Sequence, residues 1–168
     1  MYQRIIVPLD GSETAEQVLP KAEELSHLIG APLHLVRVVE IGNPGMYGTY
    51  LPIEGMSYVE MLSSAEAAVR EYLEEQHKSL SKRGFKVTFE VRRGDPSNEL
   101  VEVCQPDDLI VMSTHGRSGV ARWVLGSVAE RVVRHAPVPV FLVRADNKAE
   151  RSTEAVPGEQ TPPQSGNS

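Results

Sequence analysis

The stretch from Ser113 to Ser127 reads STHGRSGVARWVLGS and contains three glycines. It follows an apolar run, Leu109–Met112, that is typical of a strand buried on both faces of a sheet. It ends at Ser127–Glu130, whose Ser-x-x-Glu spacing predicts a helix that opens with a capping box. The sequence therefore predicts a loop from the C-terminal end of a buried strand to the N-terminus of a helix. In open α/β sheets, ligands bind at that edge.

This predicted loop has the chemistry of an anion site. A helix N-terminus presents unpaired N–H groups and a partial positive charge, which suits phosphate. Glycines let the backbone approach a ligand where side chains would block it. The predicted phosphate-binding amides are those around Gly116, Gly126, Ser127 and Val128, with the Ser127 hydroxyl assisting. Arg117 would add local positive charge.

Composition restricts the class of protein. With 168 residues, 40% hydrophobic and 24% charged, the chain fits one soluble globular domain. A net charge of -6 argues against a general nucleic-acid binder and requires any phosphate site to be made locally. The single cysteine, Cys104, excludes an internal disulfide and a cysteine zinc cluster. No apolar run approaches the ~18 residues that span a membrane, and no secretory signal is visible, so we expect a cytoplasmic protein without membrane partners.

Strands and helices alternate along the chain, which predicts an α/β fold with an open parallel sheet and helices on both faces. The predicted strands are Arg4–Leu9, Leu33–Val39, Val87–Val91, Leu109–Met112 and Val138–Val143. The predicted helices begin at Ser12, Ser57, Pro96 and Val128. The first of them is expected to bend at Pro20. We expect the five strands in the order 3-2-1-4-5, which makes the first and fourth strands neighbours and places Asp10 beside Ser113–Ser127.

Three further segments carry separate expectations. Pro139 favours an edge position for the last strand, and pairing of Val138–Val143 across a two-fold axis would give a homodimer. The Gly- and Pro-rich stretch Glu40–Gly55 is a loop, either a mobile connector or a lid. From Ala145 onward the chain lacks apolar periodicity, so we predict one folded domain over 1–144 and a disordered tail over 145–168.

The loop also carries a family resemblance. Met112-Ser113-Thr114-His115-Gly116, then nine residues, then Gly126-Ser127 resembles the ATP-binding signature of universal stress proteins, which is Gly, two residues, Gly, nine residues, Gly and Ser or Thr. Further matches are Ile5–Ser12, Ala129–Val133 and Pro137–Val140. The resemblance spans roughly Met1 to Arg144 and implies the adenine nucleotide alpha hydrolase-like fold.

The resemblance implies a nucleotide site as well, with ATP or AMP as ligand and Mg²⁺ or Mn²⁺ arriving with ATP. Its implied contacts are Pro8, Asp10 and Gly11 near the ribose and phosphates, the Val38 backbone at the adenine edge, Met112 and Ser113 near the base or ribose, and Gly116, Gly126, Ser127 and Val128 at the phosphates. Asp10 is the candidate contact for the metal ion.

Several side chains have a plainer alternative role. Asp10 could be a turn former at a strand end, and Arg117 and Arg122 could be solvated loop charges. We expect His115 to pack within the loop, because the sequence shows no nucleophile or metal partner for it. Cys104 is expected to be a small core residue.

Three functions remain open at this stage. The first is a dimeric, cytoplasmic, ATP- or AMP-binding stress-response sensor or regulator, which need not be an enzyme. The second is a weak ATP hydrolase or a nucleotidyl or phosphoryl transferase, although no base and nucleophile pair can be placed together. The third is a dimeric interaction module that no longer binds nucleotide, because Ser113 stands where the signature has its first glycine.

Overall fold

In the computed structural model, residues 1–40, 57–114 and 125–144 are described. The strands are β1 (Arg4–Pro8), β2 (Leu33–Val39), β3 (Val87–Arg93), β4 (Asp108–Ser113) and β5 (Val140–Val143). The helices are α1 (Glu13–Glu16), α2 (Leu19–Ile29), α3 (Tyr58–Lys82), α4 (Pro96–Glu102) and α5 (Ser127–His135). All strand pairs are parallel and the order is β3-β2-β1-β4-β5, which confirms the predicted topology.

Helices cover both faces of the sheet, as the alternation of elements predicts. On one face, Ile5, Val7 and Leu35 of the sheet pack with residues of α1, α2 and α3. On the other face, Ile6 and Ile110 pack with residues of α4 and α5. Every residue of β4 is buried, which explains why its sequence is an apolar run and not an alternating pattern.

The first helical segment differs from its prediction. One helix bent at Pro20 was expected, but α1 ends at Glu16 and a separate helix, α2, begins at Leu19. Pro20 therefore lies in the first turn of α2, where a missing N–H breaks no intrahelical bond. The predicted cap is confirmed, because the Ser12 hydroxyl accepts the Ala15 N–H at 3.1 Å. The predicted end is confirmed by Gly30, which has a φ of 72°.

The prediction of a capping box at Ser127–Glu130 is wrong. The N-cap of α5 is Gly126, Ser127 is the first helical residue, and the helix start has no side-chain capping bond. Gly126 is extended, with φ −58° and ψ 147°, and its carbonyl accepts the Glu130 N–H at 2.8 Å. The Glu130 carboxylate instead accepts a hydrogen bond from Arg134 at 2.8 Å.

A capping box does form at the start of α3. The Ser57 hydroxyl accepts the Glu60 N–H at 3.3 Å, and the Glu60 carboxylate accepts the Ser57 N–H at 2.8 Å. Although α3 has 25 residues, neither it nor any other helix in the described ranges is long and apolar enough to cross a membrane. Its mixed charged and apolar sequence is that of a helix packed on one side of a sheet.

The last strand is shorter than predicted. It runs over Val140–Val143, and Pro139 lies immediately before it. The Pro139 carbonyl accepts the Ile110 N–H at 3.0 Å, so the proline joins the ladder through its oxygen alone. The predicted edge position is confirmed. The predicted loop beyond Glu40 and the tail from residue 145 lie outside the described residues.

Candidate functional site

The candidate site lies at the carboxyl edge of the sheet, between β1 and β4. These two strands are neighbours, with Ile6 opposite Ile110, so both end at the same edge. The chain after β1 turns into α1 there, and the chain after β4 returns to begin α5. Strand order reverses at this point, which is where open α/β sheets bind ligands.

One hydrogen bond fixes the start of α5 against the end of β4. The Gly126 N–H donates to the Thr114 carbonyl at 2.9 Å and so joins the N-cap of α5 to the residue that follows β4. The Gly126 amide, one of the predicted phosphate donors, is therefore engaged by a protein acceptor. Ser127 and Val128 occupy the next two positions, where the helix itself provides no acceptor for their N–H groups.

Asp10 forms a turn at the end of β1. Its Oδ1 accepts the Ser12 N–H at 2.9 Å and the Ser12 hydroxyl at 2.6 Å. Gly11, between them, has a φ of +83°, which residues other than glycine rarely adopt. The turn-forming role of Asp10 is thus observed, and it orients the carboxylate at the edge where the phosphate site was predicted.

Met112 and Ser113 end β4 and point to opposite faces. Met112 packs in the cluster that includes Ala129 and Val132 of α5. By strand alternation, the buried Ser113 side chain lies on the face that Val111 shares with α1 and α2, away from α5. The Ser113 side chain therefore leaves the beginning of α5 uncovered.

The other predicted contacts divide into two groups. Pro8 ends β1, and Val38 lies one residue before the end of β2, so both reach the same edge. Gly116 and Arg117 lie outside the described residues, as do His115 and Arg122. Their predicted roles stay predictions.

Arg37 is a charged residue at this edge that the sequence analysis missed. A Cβ built on Gly11 would lie 2.7 Å from Arg37 Nη1 and 2.9 Å from Cζ, so the guanidinium lies directly against the glycine. Its Cζ is also 4.8 Å from the centroid of the Tyr72 ring, which is a cation–π contact. The available signal was an arginine inside a mostly apolar strand, near the strand's carboxyl end.

Tyr72 connects this arginine to α1. Its hydroxyl donates to Glu16 Oε1 at 2.8 Å, and the Gln76 side-chain amide donates to the same oxygen at 3.3 Å. Burial and, secondarily, the bond to Glu16 raise the pKa of Tyr72, so its hydroxyl stays protonated and remains a donor. The network holds α1, α3 and β2 together around the Asp10 turn.

A divalent metal ion would find few ligands among the described residues of this edge. Among residues 1–40, 57–114 and 125–144, no group of three His, Cys, Asp or Glu side chains could hold one. Asp10 could supply one oxygen, so Mg²⁺ or Mn²⁺ would take most of its ligands from phosphates and water. The residues thus fit an ion carried by a nucleotide better than a resident metal centre.

Cys104 has the structural role expected of it. It packs half-buried against the cluster beneath α4 and α5, and its thiol donates to the Leu100 carbonyl at 3.1 Å. Burial raises the pKa of the Cys104 thiol to about 11, so the reactive thiolate is scarce at neutral pH.

An open parallel sheet with a turn and a helix N-terminus at its switch point defines the class of α/β proteins that bind ligands at the carboxyl edge. The sequence profile of the universal stress protein family matches residues 1–144. The chain belongs to the universal stress protein family, and its sheet has the adenine nucleotide alpha hydrolase-like fold.

Individual relatives agree with this assignment. A universal stress protein of Methanocaldococcus jannaschii is 33% identical over 150 residues, covering 88% of this chain and 85% of that protein. The solved structure of a second protein of that archaeon has a TM-score of 0.74 at 27% identity and covers 88% of this chain and 99% of its own. A universal stress protein solved in complex with cAMP has a TM-score of 0.60 at 23% identity, over 85% of this chain and 97% of that chain, and this likeness shows the fold.

Proposed function

We propose that this protein binds an adenine nucleotide, ATP or AMP, between the ends of β1 and β4, and acts in the cytoplasm as a stress-response sensor or regulator. The observation that carries the proposal is the bond from the Gly126 N–H to the Thr114 carbonyl. It holds the first amides of α5 beside the end of β4, at the edge where Asp10 forms its turn. A helix N-terminus at this position suits a phosphate group.

Adenine compounds are the first ligands to test for two reasons. The spacing from Ser113 through Gly116 to Gly126-Ser127 matches the family's ATP-binding signature except at its first glycine. The cAMP complex named above shows that one protein with this fold binds an adenine nucleotide. The orientation of the Ser113 side chain, away from α5, leaves the first amides of that helix uncovered by the serine.

Binding would act by linkage. A ligand that binds only the folded protein stabilises it by about 2.7 kcal/mol at a concentration one hundred times its dissociation constant. The ligand would bridge two segments that are separate in the chain, the Asp10 turn and the start of α5. A divalent ion bound to ATP would bring a compensating positive charge to Asp10.

The test compares two substitutions at Ser127 by calorimetric titration with ATP and AMP. Ser127→Pro removes the N–H at the first helical position, where proline is well tolerated, and the extended backbone of Gly126 suits a following proline. Ser127→Ala removes only the hydroxyl. We expect the proline to weaken ATP binding about tenfold, the loss of one charge-assisted hydrogen bond, and the alanine to weaken it less.

Mass spectrometry of the small molecule that leaves the purified protein on denaturation would identify the ligand directly. A wild-type protein that releases no nucleotide and binds neither ATP nor AMP would refute the proposal. If Ser127→Pro folded and bound ATP as wild type does, the phosphates would have to lie elsewhere.

The assembly that we propose is a homodimer through β5. Its Phe141 side chain is 40% exposed although it lies in an apolar edge strand, and Val133 of α5 is exposed as well. Exposed apolar edge strands are usually paired or covered. Sedimentation equilibrium should give a dimer, and Phe141→Glu should give a monomer; a wild-type monomer at high concentration would refute this assembly.

A further inference from the structure

Strand β2 brings a positive charge to the candidate nucleotide site. The guanidinium of Arg37 lies against Gly11, where a Cβ would come within 2.7–2.9 Å of its Nη1, Nη2 and Cζ atoms. Gly11 directly follows Asp10, whose carboxylate is held in the turn by Ser12. The absence of a side chain at Gly11 is therefore what admits the arginine to this edge of the sheet.

The position of this charge is fixed by packing. Arg37 Cζ lies 4.8 Å from the centroid of the Tyr72 ring, and Arg37 is only partly exposed. Tyr72 is held in turn by its hydrogen bond to Glu16 at 2.8 Å. A cation held in one place loses little side-chain entropy when a ligand binds, so its attraction is used more fully than that of a free surface charge.

The local charges of the protein oppose a bound phosphate. The protein has a net charge of -6, and the carboxylates of Asp10 and Glu16 lie on the segment that borders the site. Both would oppose a polyphosphate, and the opposition grows with the number of phosphates. Arg37 is positioned to offset it, because its charge lies next to the Asp10 turn on the strand that also carries Val38.

We propose that Arg37 is a specificity-determining residue that favours adenine nucleotides with more phosphate charge over those with less. This inference rests on the proposed nucleotide site. Arg37 acts on the phosphates through its charge, so its contribution should be largest for ATP, smaller for AMP and absent for adenosine. Its contact with Gly11 is the reason the charge lies at this edge.

The experiment measures the affinity of the full chain for ATP, AMP and adenosine, without added metal and at two salt concentrations. We expect Arg37→Gln to weaken the binding of ATP about tenfold and that of AMP about threefold, and to leave the affinity for adenosine unchanged. The losses should shrink at higher salt, because salt screens the attraction between the partly exposed guanidinium and the phosphates. Arg37→Lys, which keeps the charge, should recover most of the preference for ATP.

Arg83→Gln is the matched control. It removes the same charge from Arg83, an exposed residue at the end of α3 that pairs with Glu23 of α2. There the chain leads into β3 at the amino edge of the sheet, away from the candidate site. It should leave the ranking of the three ligands unchanged.

Other outcomes overturn the inference in distinguishable ways. Equal weakening of all three ligands by Arg37→Gln would mean that Arg37 only supports the turn. Unchanged affinities in Arg37→Gln, with a wild type that binds ATP, would refute the role of Arg37 and leave the proposed site intact. A wild type that binds none of the three ligands would refute the proposed function and this inference with it.

Discussion

The two edges of the sheet use their polar groups differently. At the amino edge, Arg4 at the start of β1 meets Asp108 at the start of β4, with Nε–Oδ1 at 3.0 Å and Nη2–Oδ2 at 2.6 Å. Arg4 also donates to the Val103 carbonyl at 2.9 Å. At the carboxyl edge, by contrast, β1 is followed by the Asp10 turn, and α5 begins with Ser127 and Val128.

This difference separates the structural amino edge from the candidate site at the carboxyl edge. A polar group that is satisfied by the protein itself stabilises the fold and has little left to offer a ligand. The first amides of a helix have no acceptor within the helix, so they remain donors for something outside it. The contrast predicts that substitutions at the amino edge change stability, and that substitutions at the carboxyl edge change ligand binding.

Breaking the amino-edge pair should have the largest effect on stability. The Asp108 side chain is 2% exposed and that of Arg4 is 20% exposed. Asp108→Ala leaves the arginine without its partner and also removes the acceptor of the Gln105 N–H, so we expect a loss of about 3 kcal/mol. Urea denaturation measures it.

An exposed pair provides the control for that experiment. Glu130→Ala breaks the pair with Arg134 on the surface of α5 and should cost less than about 1 kcal/mol. Equal losses in the two variants would contradict the view that the amino edge is the scaffold.

A substitution at Gly11 should test the carboxyl edge with an intermediate effect. Gly11→Ala places a side chain at a φ of +83°, which costs about 1–2 kcal/mol, and its Cβ would displace the guanidinium of Arg37. We expect lower stability and weaker ATP binding, measured by thermal unfolding and calorimetry.

Gly30 is a matched control for this strain. It has a φ of +72°, and a Cβ there would meet nothing within 4 Å. Gly30→Ala should therefore reduce stability by a similar amount and leave ATP binding unchanged. If both variants bound ATP equally well, the contact between Gly11 and Arg37 would have no part in ligand binding.

The smallest expected effect concerns pH. His34 in β2 is 7% exposed, and burial, with the nearby charge of Arg4, lowers its pKa below the usual value of 6.5, although Glu90 opposes the shift. The unfolded chain then binds the proton more readily than the folded one. The stability contributed by neutral His34 is present above the unfolded pKa and is lost as the pH falls through the folded pKa.

Replacing His34 by glutamine should make the fall in stability below about pH 6.5 less steep, as followed by urea denaturation across a pH series. Replacing the exposed His27 by glutamine should leave the profile as it is in the wild type. An unchanged profile in His34→Gln would mean that groups other than His34 control acid stability.

The same four-residue pattern occurs twice in this chain and takes two different structures. Ser57–Glu60 and Ser127–Glu130 share the Ser-x-x-Glu spacing, but only the first forms a capping box. In the second, a hydrogen bond joins the extended Gly126 to Thr114, the residue after β4, and the helix starts one residue earlier than predicted. A contact with a neighbouring strand thus overrode a local pattern.

The sequence by itself determined the order of the strands and the parallel sheet, and it predicted the edge at which a ligand would bind. Apolar periodicity and the residues that begin and end helices are local properties, so they can be read along the chain. Only the tertiary structure placed Arg37 on Gly11 and turned Ser113 away from α5. Those positions depend on the register between strands and on which face each side chain takes, which no single segment of the sequence specifies.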